Sequence, residues 1–224
     1  MKRLAYILAI LSMGFLTDCT RYPAPERLLA KRGISHPDDA HFTICHGFGC
    51  TFHSEVTFSD MDWAQVMAAF DPPAREPAGE RRQIGQAVAV FEQLVGRKTG
   101  TDTDKGGLTH IVGGNPTQLD CIDETTNTTT YLTLLQDRGV LRWHRAGQAA
   151  SRGFFLDGRW HHETAVLLEL ASGTEFAIDS WFEDNGKPPL IVPLEQWQWT
   201  WGSWGGNTET ARQQPAQPDS DTQL

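Results

Sequence analysis

The stretch "ETAVLLEL" (163–170) is the feature that most constrains how this chain can fold. A strand with one solvated face alternates apolar and polar residues, whereas a nearly continuous apolar strand is typical of a central position in a sheet. A second β-prone stretch, "TEFAIDSWF" (174–182), follows after the short turn Ala171-Ser172-Gly173. We therefore predict an antiparallel hairpin whose first strand is central in its sheet.

Three stretches have helical periodicity. "SDMDWAQVMAAF" (59–70) predicts a helix with Ser59 as N-cap and Asp62 three positions later, which is the capping-box spacing. "ERRQIGQAVAVFEQLVGRKTG" (80–100) predicts a second amphipathic helix that Gly96 can end. The third helix is predicted within 118–139, and it includes Cys121 in its first turn.

Further strands are predicted on either side of these helices. "HFTICHGFGCTFHSEVTFS" (41–59) predicts two strands that meet at a glycine-rich turn. "KPPLIVPLEQW" (187–197) predicts an edge segment, because proline cannot donate to a sheet ladder. Residues 142–159 are predicted to be a loop rich in Arg and Gly. Helices and antiparallel strands in separate runs favour an α+β fold.

The N-terminal residues predict export. A basic start (Lys2, Arg3) precedes an apolar run that is too short to span a membrane comfortably, as in a secretory signal peptide over residues 1–19. The run ends at "LTDC", which resembles a bacterial lipobox with Cys19 as the lipidated residue, although Asp18 departs from the usual Gly, Ala or Ser. We therefore predict a periplasmic lipoprotein that is anchored to a bacterial membrane through lipid on Cys19.

Composition divides the remaining chain and excludes one class of partner. Residues 20–40, which contain three prolines, are predicted to be a linker, residues 41–204 one domain, and residues 205–224 a disordered tail. The formal net charge of −9 argues against nucleic-acid binding, which needs a basic face. With 39% hydrophobic residues the domain can form a packed core without metals, and we predict no cofactor.

The four cysteines have different predicted fates. In an oxidising compartment thiols pair, and the two glycines of "CHGFGC" permit the tight reversal that would join Cys45 to Cys50. A zinc site formed by Cys45, His46 and Cys50 is a weaker alternative, because no second ligand pair with recognisable spacing follows. With Cys19 lipidated, Cys121 has no partner, and an odd thiol in an exported protein indicates reactivity.

One acidic loop bears on metal binding. Asp102, Asp104 and Gly106 have a spacing faintly similar to that of a calcium loop, but the distal bidentate glutamate of an EF-hand is missing. A solvated acidic loop is therefore the favoured interpretation, and we predict no metal site.

Cys121, His162 and Asp179 form the candidate catalytic set. A helix start favours thiolate over thiol and offers free N–H groups for an oxyanion. His162 at a strand edge can act as base and acid, and Asp179 on the adjacent antiparallel strand can fix its tautomer. The span from 162 to 179 is centred near the turn, so these two residues are predicted to be cross-strand neighbours, whereas His161 points to the other face.

Other features weigh for and against this site. Gln118 is a candidate oxyanion donor, although it could equally be a loop glutamine. Asp120 and Asp123 flank the cysteine and oppose the effect of the helix dipole on its thiol, unless Asp123 serves the helix start. The alternative for Cys121 is a small buried core residue, because cysteine is among the most buried residue types.

The order of Cys121 in "DCIDE", His162 in "HETAV" and Asp179 in "AIDSW" resembles the transglutaminase-like branch of the papain superfamily. The strings "CHGFGC", "DCIDETTNTTTYL" and "DSWFEDNG" also resemble a group of uncharacterised exported proteobacterial proteins. The resemblance covers most of residues 41–197. It implies a Cys-bearing helix packed on an antiparallel sheet that carries His and Asp.

The resemblance also implies an activity. A Cys-His-Asp site of this kind would be a cysteine hydrolase or acyltransferase acting on an amide or thioester of a protein or peptide substrate. Ile122 stands where many transglutaminases have Trp, so no aromatic roof over the thiol comes from that position. The alternative function is a non-enzymatic envelope lipoprotein that uses the same fold as a binding or assembly module. The alternating tryptophans from Trp197 to Trp204 are interpreted as cover for a sheet edge, with a sugar-stacking surface as the weaker alternative.

Overall fold

The computed structural model describes residues 25–108, 114–153 and 161–200. The predicted signal peptide, Cys19 and the predicted tail lie outside these residues. The helices are α1 (Glu26–Lys31), α2 (Asp60–Met67), α3 (Pro77–Thr99), α4 (Cys121–Asp137) and α5 (Leu194–Thr200), with a 3-10 turn (Ala68–Phe70) after α2. The strands are β1 (His41–His46), β2 (Phe52–Thr57), β3 (His144–Ala146), β4 (Ala150–Arg152), β5 (His162–Glu169), β6 (Glu175–Asp179) and β7 (Leu190–Pro193).

Two antiparallel sheets carry these strands, which confirms the α+β class. β1 and β2 pair with each other, and a five-stranded sheet has the order β3-β5-β6-β7, with β4 also paired to β5. β5 is therefore central, as its apolar sequence predicts. β3 and β4 arise within the stretch 142–159 that was predicted to be a loop, because three-residue strands carry too few residues for a periodic pattern.

The β5–β6 hairpin forms with a register that differs from the predicted one. Ala165 pairs with Ile178 and Leu168 pairs with Glu175, so Asp179 lies opposite Thr164 and not opposite His162. The offset is two residues, and side chains alternate faces with a period of two. His162 and Asp179 therefore remain on one face, as diagonal neighbours.

Helix α4 is buried along nearly its whole length, although it is rich in threonine. Four threonine hydroxyls donate to the carbonyl four residues earlier, at distances between 2.7 and 3.0 Å; these are Thr126, Thr129, Thr130 and Thr133. Since each of these four hydroxyls has its hydrogen-bond partner within the helix, the helix can be buried without leaving them unpaired. It packs on β5 and β1, and this packing brings its first residue, Cys121, to the sheet.

Residues 25–40 do not behave as the predicted linker. They contain α1, and Leu29 and Ile34 are buried against Cys45. The Arg32 guanidinium also bonds the Glu163 carboxylate at 2.6 Å on β5. Burial of these apolar side chains outweighs the chain-breaking effect of the prolines at positions 25 and 37, so this segment belongs to the domain.

The other helices differ from expectation mainly at their ends. The capping box of α2 forms between Ser59 and Asp62 as predicted. α3 ends not at Gly96 but at Gly100, which has a left-handed φ of 80°. Gly96 has a different role, because a Cβ there would lie 2.9 Å from the backbone of Asp102. Within the described residues, none of the helices has the length and apolar character that crossing a membrane requires.

Candidate functional site

His162 and Asp179 form a buried hydrogen-bonded pair. The Nε2 atom of His162, at the start of β5, lies 2.7 Å from Oδ2 of Asp179, at the end of β6. Asp179 is 2% exposed and His162 is 8% exposed. With the Asp179 carboxylate as the acceptor, Nε2 of His162 is the donor, and Nδ1 is the ring nitrogen left to accept a proton. This is the contact predicted from the hairpin, reached diagonally across the two strands.

Three aromatic rings surround the His162 imidazole. Trp181 lies 4.8 Å from it, Phe182 5.5 Å and Trp197 5.6 Å between ring centroids. The Trp181 indole donates to the carbonyl of Leu108 at 2.8 Å, which fixes that ring over the site. These rings keep water away from the His162–Asp179 hydrogen bond and strengthen it by lowering the local dielectric.

Cys121 is the first residue of α4 and lies against strand β5. The backbone N–H of Glu163, the residue after His162, donates to the Cys121 sulfur. Burial nevertheless raises the pKa of the thiol to about 12, and this effect outweighs the lowering by the N–H of Glu163. The carboxylates of Asp120, Asp179 and Glu163 raise the pKa as well. Burial is therefore the main reason that the resting side chain is a neutral thiol, and of the two flanking acids Asp120 acts in the predicted direction.

We expect Cys121 to be a slow nucleophile toward simple alkylating agents. With its pKa at about 12, the thiolate fraction at pH 7.5 is well below that of free cysteine, whose pKa is about 8.5. Iodoacetamide should modify Cys121 more slowly than N-acetylcysteine at pH 7.5, and the rate should still be rising at pH 10. Peptide mass spectrometry measures the rate at this residue alone. Modification faster than N-acetylcysteine at pH 7.5 would contradict the neutral thiol.

The start of α4 is held by carboxylates on both sides of Cys121. Asp120 is the N-cap, and its Oδ1 accepts from the backbone N–H of Ile122 and of Asp123, each at 3.0 Å. The Asp123 carboxylate in turn accepts from the backbone N–H of Asp120 at 3.2 Å. Among the described residues, the amide N–H of Cys121 itself has no acceptor, so it is available at the helix start.

The "CHGFGC" loop binds this helix start. Phe48 and Cys50 donate their backbone N–H groups to the Asp123 carboxylate at 2.7 Å, and Gly49 donates to Asp120 at 3.0 Å. The four residues from Gly47 to Cys50 all have positive φ, which turns successive N–H groups toward one side. Cys45 and Cys50 form the predicted disulfide, so the loop is closed covalently. Asn127 adds two hydrogen bonds to the backbone of Cys45.

We expect reduction of the Cys45–Cys50 disulfide to lower stability moderately. The closed loop is short, with a sequence separation of 5, and loop entropy alone predicts a loss of about 2 kcal/mol in the free energy of unfolding. Urea unfolding of the Cys45→Ser/Cys50→Ser double variant measures this loss, with the Cys121→Ser variant as the control for removing a buried cysteine. Identical urea midpoints for the double variant and the wild type would mean that the hydrogen bonds to Asp123 hold the loop unaided.

The candidate zinc ligands Cys45, His46 and Cys50 are engaged in other bonds. Both ring nitrogens of His46 are engaged, one with the carbonyl of Pro116 at 2.7 Å and one with the hydroxyl of Ser54 at 2.9 Å. Among the described residues, the one group of three close potential ligands is Cys45, Cys50 and His53, and its two sulfurs are bonded to each other. In the acidic loop, the Asp104 carboxylate accepts a hydrogen bond from the backbone N–H of Leu119 at 2.7 Å. Asp104 therefore holds the segment that leads into α4.

Several acidic side chains are buried at and around the start of α4. Burial raises the pKa of Glu92 to about 8, that of Asp104 to about 7 and that of Asp123 to about 7. Burial also raises the pKa of Glu124 well above its ordinary value, and the charge of Glu92 adds to this effect. Glu92 is therefore mostly protonated at neutral pH, whereas Asp104 and Asp123 are about half ionised. The sequence did not indicate these shifts, because they depend on which side chains the fold buries.

The side chain of Gln118 already has hydrogen-bond partners. Its amide Nε2 donates to the carbonyls of Thr103 and Thr117, each at 3.2 Å, and its Oε1 accepts from the backbone N–H of Lys105 at 3.1 Å. Both amide hydrogens are used, so a donor role toward an oxyanion would require one of these bonds to break. His161 is exposed and bonds Glu163 at 3.2 Å, in agreement with its predicted orientation away from the site.

Trp197 is the site residue that sequence reasoning missed. It is fully buried in α5, and its indole N–H donates to Asp179 Oδ2 at 2.7 Å. The alternating tryptophans suggested cover for a sheet edge or, as a weaker alternative, a sugar-stacking surface. Helix α5 was not predicted, because the prolines of 187–197 indicated an extended segment.

The comparisons with known proteins do not add to this description. No protein-family model, no curated protein and no solved structure matches the chain. The class that the fold and the site define is therefore an α+β domain with a buried thiol at a helix start and a buried, hydrogen-bonded His-Asp pair on two adjacent strands.

Proposed function

We propose that the protein is an exported cysteine hydrolase or acyltransferase of the transglutaminase-like type, which acts on an amide or thioester through Cys121, His162 and Asp179. The observation that carries the proposal is the buried 2.7 Å hydrogen bond between His162 and Asp179, one residue along β5 from the N–H that contacts the Cys121 thiol. A His-Asp pair alone also occurs in structural networks. The thiol beside it, at the first residue of a buried helix, is what favours nucleophilic chemistry.

The neutral thiol defines how the first step would run. The Cys121 sulfur attacks the substrate carbonyl as its proton moves to Nδ1 of His162, and Asp179 stabilises the imidazolium that forms. The amide N–H of Cys121 is placed to bind the oxyanion. A carbon–sulfur bond forms, the bond to the leaving group breaks, and His162 gives its proton to that group.

The second step divides the two reaction classes. Water attack on the thioester between Cys121 and the acyl group would complete hydrolysis, and attack by an amine would complete acyl transfer. In both cases His162 takes the proton of the attacking group and Cys121 leaves as the thiol. We propose a protein or peptide as the acyl donor. Gln118 as an oxyanion donor is the least supported part of this scheme, because its amide hydrogens are used elsewhere.

The raised pKa of the Cys121 thiol favours a second candidate function, a non-enzymatic binding or assembly module. The pKa of Cys121 is raised to about 12 by burial and by three nearby carboxylates, which is unfavourable for a nucleophile unless the base acts during the attack. A domain of this fold that only binds or assembles in the envelope would tolerate such a thiol. Export, a periplasmic location and a lipid anchor at Cys19 remain part of both proposals, and neither includes a nucleic-acid partner.

Covalent acylation separates the two candidates. Incubation with p-nitrophenyl acetate should give a protein one acetyl group heavier by intact mass, with the adduct at Cys121 and none in the Cys121→Ser variant. Equal acetylation of the wild type and the Cys121→Ser variant would exclude the enzyme and leave the binding module.

A further inference from the structure

One oxygen of Asp179 accepts two N–H donors. Oδ2 accepts from His162 Nε2 at 2.7 Å and from the Trp197 indole Nε1 at 2.7 Å. Both donors and the acceptor are buried. A buried carboxylate needs hydrogen bonds to stay ionised, and a bond to the charged form is stronger than one between neutral groups.

Trp197 is held so that its N–H points at this oxygen. The side chain is fully buried in α5, and its ring lies 5.6 Å from the His162 ring at an angle of 33°. It packs in a small cluster with Ala177, Leu190 and Val192 of the two strands that precede it. The ring therefore contacts both members of the His-Asp pair.

Arg152 fixes the other side of Trp197. Its guanidinium lies 4.2 Å above the indole centroid and donates to the Trp197 carbonyl at 2.6 Å. Arg152 is also the direct register partner of His162 across β4 and β5. A cation over an indole is favourable, and this contact connects the ring to the strand pair that carries His162.

We propose that Trp197 is a positioning residue that holds the Asp179 carboxylate oriented toward His162. The proposal rests on the Cys-His-Asp function above. With the indole N–H and His162 Nε2–H both on Oδ2, the carboxylate cannot turn away from the imidazole without losing two bonds. His162 then keeps its lone pair on Nδ1, the nitrogen that receives the Cys121 proton.

The Trp197→Phe variant removes the N–H and keeps an aromatic ring. Acetylation of Cys121 by p-nitrophenyl acetate should slow by about tenfold or more, because a hydrogen bond to a charged group is lost. The matched control is Trp199→Phe, since Trp199 is 72% exposed and lies in the same helix. If Trp197→Phe fails to fold, benzothienylalanine introduced at position 197 replaces only the N–H with sulfur and keeps the ring shape.

A second readout does not require activity. In protein labelled with 15N-histidine, the Nε2–H signal of His162, assigned by its loss in His162→Gln, should exchange slowly with water. Exchange should accelerate at least tenfold in the position-197 variants and stay unchanged in Trp199→Phe. A purely structural role for Trp197 would lower thermal stability without this change in ring exchange.

The two readouts keep this proposal separate from the proposed enzyme function. Faster ring exchange in the variant, together with no Cys121-dependent acetylation of the wild type, would support the positioning role and reject the enzyme. Unchanged ring exchange and unchanged acetylation in a folded position-197 variant would overturn the positioning role and leave the enzyme proposal intact.

Discussion

Replacing His162 with alanine is expected to slow acetylation of Cys121 by p-nitrophenyl acetate about a hundred- to ten-thousandfold. With the thiol pKa at about 12, almost no thiolate exists at neutral pH, so attack depends on a base that takes the proton during the reaction. His162 is the base that Asp179 orients. Stopped-flow release of p-nitrophenol at pH 7.5 gives the rate constants of the variant and the wild type.

His161→Ala is the matched control for this variant. The two histidines are adjacent in sequence, but His161 is exposed and bonds Glu163, whereas His162 is buried against Asp179. His161→Ala should react within about twofold of the wild type. Equal losses in the two variants would indicate a general effect of changing this strand end, and a rate in His162→Ala equal to the wild type would exclude His162 as the base.

The free energy of unfolding is expected to fall between pH 5 and pH 9, and the Glu92→Gln variant should reduce this fall by about 4 kcal/mol. Burial raises the pKa of Glu92 from 4.5 to about 8. A carboxyl whose pKa is raised by folding stabilises the folded state fully below its unfolded pKa, and this contribution is lost as pH rises through the folded pKa. The raised pKa values of Asp104 and Asp123, each at about 7, and of Glu124 act in the same direction. Urea unfolding at each pH measures the change.

Glutamine at position 92 imitates the protonated glutamate. Its carbonyl oxygen can still accept the Gly186 N–H, which bonds Glu92 Oε2 at 2.9 Å, and its amide can occupy the place of Oε1, which has no hydrogen-bond partner. The variant should therefore be more stable than the wild type at pH 9 and similar to it at pH 5. Glu55→Gln, a change on the exposed side of β2, should leave the pH dependence unchanged. A wild-type stability that rises from pH 5 to pH 9 would contradict the neutral buried carboxyls.

The hairpin and the face that it presents could be predicted from the sequence, because both depend on local patterns. The apolar run of 163–170 and the short turn place two strands side by side, and alternation of side chains sets which residues share a face. The prediction was wrong by two residues in register, but an even offset preserves the face. His162 and Asp179 therefore meet as expected.

The parts that could not be predicted depend on residues that are distant in sequence. Trp197 reaches Asp179 only because the chain after β7 turns into α5, and nothing local distinguishes its indole from those of the tryptophans that follow. The protonation state of the Cys121 thiol depends on burial and on carboxylates from three segments of the chain. Leu29 and Ile34 follow no periodic pattern and lie in a segment with several prolines, so their packing against Cys45 could not be predicted.

The central claim is that Cys121, His162 and Asp179 act as one unit, and a double-mutant cycle on acetylation of Cys121 tests it most directly. Residues that act through one another show strongly non-additive losses, whereas independent residues show additive ones. His162→Ala, Asp179→Asn and the double variant would be compared with the wild type at pH 7.5. The account predicts that the double variant reacts no more slowly than His162→Ala alone, because Asp179 acts only through His162. A double variant whose loss is the product of the two single losses would contradict it.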